Sequence, residues 1–72
     1  MKTPNANSDQ ITVALAQWVI GRNAQRNREI TKRKIIDGIT FELLAEEFDM
    51  SVRQTKNIVY KCNDIICLHL PV

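Results

Sequence analysis

Apolar residues recur every three or four positions along most of this chain, and short polar breaks cut the pattern into four segments. That spacing places them on one stripe of an α-helix. Residues 1–7 lack the pattern, contain Pro4 and are expected to form a disordered tail. Ser8 or Asp9 then caps a first helix running to about Ile20, with Ile11, Leu15, Trp18 and Val19 on its inner stripe. Gly21 either ends this helix or weakens a longer one. A second helix is predicted over 23–36, with Ile30 and either Ile35 or Ile36 inward, and Asp37 and Gly38 stop it. Thr40 caps a short third helix over 41–48, whose first turn places Glu42 at the positive helix end.

Asp49 and Met50 form the next turn, and Ser51 opens a fourth helix to about Ile65. Ser51 and Gln54 have the S-x-x-Q spacing of a capping box, in which each side chain satisfies the other's backbone amide. Val52, Thr55, Val59, Cys62 and Ile66 follow at helical spacing, with Ile58 beside them. The apolar end CLHLPV either folds back onto the core or meets another chain. Two short helices joined by a tight turn need apolar residues at set places on both, and Leu44, Phe48, Met50, Thr55 and Ile58 supply them, with the small Ala45 at the close approach. Asp49 stands where Gly is usual and tolerates the left-handed conformation better than most residues. The predicted fold is all-α: a single helix-turn-helix domain of about four helices over 8–72, with the helix-turn-helix at 40–61.

Length and composition narrow the function. A 72-residue chain makes one domain and buries only about 60% of its unfolded surface, so no cleft of enzymatic size is expected. His69 stands alone near the end, and neither Ser51 nor a cysteine has a base placed by the sequence, so the chain is read as a non-enzyme without cofactors. Cys62, Cys67 and His69 fall short of the four ligands of structural zinc, and no metal is expected. No apolar run approaches the roughly 20 residues of a membrane span and MKTPNANSD has no signal core, which points to a cytoplasmic protein.

Net charge is only +2, but charge falls in blocks. Over 22–34 six bases (Arg22, Arg26, Arg28, Lys32, Arg33, Lys34) face the single acid Glu29; over 37–49 there are five acids and no base; over 50–61 Arg53, Lys56 and Lys61 stand without an acid. Separate faces for separate partners follow, the basic ones suited to phosphate; solvated helix faces are the plainer explanation for the first block.

Arg28-Glu29-Ile30, Asp37-Gly38-Ile39-Thr40-Phe41-Glu42, Leu44-Ala45-Glu46, Met50-Ser51-Val52, Lys56 and Tyr60 lie in a gap-free run over 28–66 that resembles region 4 of bacterial sigma factors and, more loosely, the DNA-binding domains of response regulators. The run covers a little over half of the chain, and the first helix with Trp18 has no counterpart in it. The resemblance implies that the helix opened by Ser51 is a recognition helix lying in the major groove. With Val52, Thr55, Ile58 and Val59 inward, Arg53, Gln54, Lys56 and Asn57 project outward as base-reading candidates. Arg53 or Lys56 suits guanine O6 and N7, and Gln54 or Asn57 suits adenine, although Gln54 cannot fully serve both cap and base. Thr40, Ser51, Tyr60 and Lys61 are the phosphate-contact candidates.

The function expected is sequence-specific binding of double-stranded DNA by a small bacterial or phage transcriptional regulator. RNA polymerase and a second copy of the chain, met through the first helix or the C-terminal tail, are the further partner candidates. The competing reading is a protein-interaction adaptor of the same fold that offers the acidic third helix, Glu42, Glu46 and Glu47, to a basic partner without base readout. Trp18 is read as a core anchor, with a partner surface as the alternative.

Overall fold

A computed structural model describes residues 3–70 as four helices: α1 (Ser8–Trp18), α2 (Ala24–Asp37), α3 (Phe41–Glu47) and α4 (Val52–Cys67). The fold is all-α, and no strand occurs among the described residues. No helix there is long and apolar enough to cross a membrane. Met1 and Lys2 of the expected tail, and Pro71 and Val72 of the apolar end, lie outside the described residues.

The helices α2 and α4 pack on each other, α1 and α3 each pack on that pair, and α1 and α3 do not meet. The core is accordingly split. One part joins Ile11, Ala14, Leu15 and Val19 to Cys62 and Ile66 of α4. The other joins Ile30, Leu44 and Val59, one residue from each of α2, α3 and α4, all fully buried.

Local chemistry sets most boundaries. Asn7, not Ser8 or Asp9, caps α1: its side chain accepts from Gln10 N at 2.8 Å while Gln10 Oε1 accepts from Asn7 N at 3.0 Å. Three adjacent residues are competent caps, and Gln10 selects Asn7 because it sits three places on and closes the reciprocal pair. The inner end of the expected tail is thereby drawn into the fold, with Pro4 buried and Ala6 packed on the first core. Gly38, at φ 69°, ends α2 in the left-handed conformation open to glycine at little cost.

Trp18 corrects the expected inner stripe of α1. It is 44% exposed, and Ala14 is buried in its place. Trp18 follows Ala14 by four residues and so shares its flank, but at the last residue of α1 the cluster that covers Ala14 does not enclose the indole. One face of its indole is covered by the His69 ring, stacked at 3.6 Å between centroids and 5° between planes.

Arg28 ties α1 to α2. Its guanidinium donates to the carbonyl oxygens of Leu15 (3.0 Å), Val19 (2.7 Å) and Ala16 (3.2 Å) where α1 ends, sharing Leu15 O with the backbone N–H of Val19. A cation there also meets the negative end of the helix dipole. One member of the basic block over 22–34 thus serves the fold.

Candidate nucleic-acid interface

The segment 40–61 is two helices and a turn, each boundary held by a residue the sequence singled out. Thr40 Oγ1 accepts from Leu43 N at 3.2 Å to start α3. At the other end Met50 N donates to Ala45 O at 2.8 Å and Asp49 N to Glu46 O at 3.3 Å, the paired bonds of a Schellman closure. Asp49 occupies its left-handed position at φ 54°. The Ser51–Gln54 capping box then starts α4, with Gln54 N to Ser51 Oγ at 3.1 Å and Ser51 N to Gln54 Oε1 at 3.2 Å.

Packing fixes which way α4 faces. Thr55, Val59, Cys62 and Ile66 are buried and Val52 and Ile58 half-buried, as their spacing predicts. Thr55 stands where an aliphatic residue is usual, and its hydroxyl is satisfied by donating to Ser51 O at 2.9 Å. Asn63 is a buried polar residue that the spacing did not single out. Arg53, Gln54, Lys56 and Asn57 are all exposed on the opposite side, with Tyr60 and Lys61.

The exposed residues differ in what they have left to offer. Gln54 Oε1 is taken up by the cap, so bidentate pairing with adenine, which needs that acceptor, would open the start of α4. Ser51 Oγ accepts from Gln54 N and donates to Gln54 Oε1 at 3.3 Å, so both its functions are used within the box. Arg53 and Asn57 carry neither an ion pair nor a side-chain hydrogen bond among the described residues.

Phe41 gathers a cluster that sequence spacing could not reveal, because its members come from three helices. Lys34 Nζ lies 4.5 Å from the ring centroid and Lys56 Nζ 5.7 Å, while the Tyr60 ring meets Phe41 edge-on at 5.9 Å. Each cation–π contact at such a site is worth about 0.5–1 kcal/mol. Lys34 is therefore added to the basic residues flanking α4.

Other charges are spent internally. Arg33 pairs with Glu47, and Arg26 donates to Asn27 Oδ1 at 3.2 and 3.3 Å. Glu47, exposed like Glu42 and Glu46 on the acidic face of α3, is the one of the three that is ion-paired among the described residues. A broad, shallow groove of about 740 Å³, wide open to solvent, lies between the start of α2 and Phe48, with Arg26 and Glu29 as its charged lining residues. Gly21 and Asn23, both at positive φ, stand on its α1–α2 side.

No family model, curated protein or solved structure matches the chain.

Proposed function

We propose that this protein binds double-stranded DNA sequence-specifically, as a small transcriptional regulator resembling sigma factor region 4, with α4 laid in the major groove. The observation that carries this reading is the exposure of Arg53, Lys56 and Asn57 on one side of a helix whose other side is locked to α2 and α3 by Thr55 and Val59. A rigid helix presenting unpaired donors, with no acid between Met50 and Lys61, suits base edges flanked by phosphates. Arg53 and Asn57 are the base readers in this reading, and Thr40, Tyr60 and Lys61 hold the backbone. The adaptor reading is weaker, since Glu47 of the acidic face is already paired with Arg33.

Selection from a pool of random duplexes, followed by titration of the recovered site, tests the proposal. An enriched motif is expected, with affinity falling steeply as salt rises. Arg53→Ala should cost about 1–3 kcal/mol on that site and relax its base preference at one position. A palindromic motif would identify a second copy as partner. No enrichment, together with a flat titration at low salt, would overturn the reading.

A further inference from the structure

We infer that Lys34 and Lys56, brought together on the Phe41 ring, form a two-cation clamp for the phosphodiester backbone, so that Lys56 grips a strand and does not read bases. The inference rests on the DNA-binding reading above and goes beyond it by adding Lys34 of α2 to the interface and reassigning Lys56.

The geometry carries it in three steps. First, both ammonium groups lie against one ring, at 4.5 and 5.7 Å from its centroid, so the two charges stand no more than about 10 Å apart. Second, neither has a counter-charge. The ion pair among the described residues joins Arg33 to Glu47, and although Asp37 and Glu42 are close in sequence, neither pairs with Lys34 or Lys56. Two like charges held together without an acid favour an anion between or beside them. Third, the anion that fits is a phosphate. An ammonium is a compact point charge with three donors and no acceptor, matched to acceptor-only phosphate oxygens, and a span of at most about 10 Å matches one phosphate or neighbouring phosphates of one strand, which follow every ~3.4 Å along the duplex axis.

The Phe41 ring also explains why Lys56 differs from Arg53. Lys56 is drawn towards α2 and α3, where Tyr60 meets the same ring, whereas Arg53 has no such tether. Lys34, Lys56 and Tyr60 thus line one side of α4, leaving Arg53 and Asn57 as the untethered donors.

The test is fluorescence anisotropy on the full chain at several salt concentrations, with two labelled duplexes: the site recovered by selection and a scrambled one. Lys34→Ala and Lys56→Ala should each weaken both duplexes by the same factor and flatten log K against log salt by about 0.9. Arg53→Ala should weaken the selected duplex more than the scrambled one. Arg22→Ala removes an exposed charge outside the cluster and controls for net charge. Thermal melting of each variant checks that the fold is intact. A Lys56→Ala loss confined to the selected duplex, or a Lys34→Ala effect no larger than that of Arg22→Ala, would overturn the clamp while leaving DNA binding standing. Wild-type protein that binds neither duplex would overturn both.

Discussion

The two ends of the α2–α4 pair are held by different means. At the α3 end, Ile30, Leu44 and Val59 are fully buried with Phe41, Phe48 and Met50 packed against them, and the Schellman closure at Asp49 and the capping box at Ser51 fix where α3 ends and α4 begins. At the α1 end the buried set is larger, Ile11, Ala14, Leu15, Val19, Cys62 and Ile66, and it is joined by Arg28 bonded to three carbonyls of α1. Both ends rest on contacts between distant residues, but the turn between α3 and α4 is also set by hydrogen bonds within a few residues of chain, whereas α1 is tied to α2 by the long-range bonds of Arg28. Only the α3 end presents the candidate interface, so stability and binding should respond separately to damage at the two ends.

The most severe test of that separation pairs Leu44→Ala with Leu15→Ala. Each deletes most of a buried leucine and should cost about 2–5 kcal/mol, a large share of the stability of so small a domain. Urea unfolding should show comparable losses, provided each variant still folds at low temperature. Duplex titration at a temperature where both are folded should then divide them: Leu44→Ala loses affinity because α4 loses its seat on α3, and Leu15→Ala keeps it. Equal loss of affinity in the two folded variants would show that the core acts as one unit.

Arg28→Met sharpens the comparison from the α1 side. It keeps an apolar stem, removes all three carbonyl bonds and should destabilise by about 1–2 kcal/mol, on the low side for charged hydrogen bonds because Arg28 is half exposed. Hydrogen exchange should quicken in the last turn of α1, with α3 and α4 amides unchanged. Faster exchange at Thr55 or Val59 would mean that α1 braces the recognition segment after all.

The same division explains which parts were legible in the sequence. Thr40, Asp49, Ser51 and Gln54 act on backbone groups within five residues of themselves, so their roles can be read from spacing. The exposure of Arg53, Gln54, Lys56 and Asn57 followed from the inward stripe for the same reason. Trp18 falls on the inward stripe by spacing, and only the tertiary structure shows that the core leaves the indole of this last α1 residue open, stacked on His69. Arg28 and Lys34 looked alike as members of one basic block. Tertiary structure sends the first to helix carbonyls and the second to Phe41.

The smallest expected effect also belongs to the α1 end, through Cys62. Burial pushes its thiol above the ordinary value of 9.0, against smaller opposing contributions from the Thr31 hydrogen bond and the nearby Lys61 charge. The folded protein therefore holds the thiol proton to higher pH than the unfolded chain does. Well below pH 9.0 both states are protonated and Cys62 adds no pH dependence; as pH rises through 9.0 the unfolded chain releases its proton first, and stability falls. The quantity to measure is the difference in unfolding free energy between wild type and Cys62→Ala as a function of pH, in which contributions common to both proteins cancel. That difference should be flat well below pH 9.0 and shrink as pH rises through it. The three residues of the α3-end core are all aliphatic, so Leu44→Ala measured the same way should give a constant offset. A Cys62 difference that stays flat above pH 9.0 would mean the thiol is open to water, and the α1-end core looser than its burial implies.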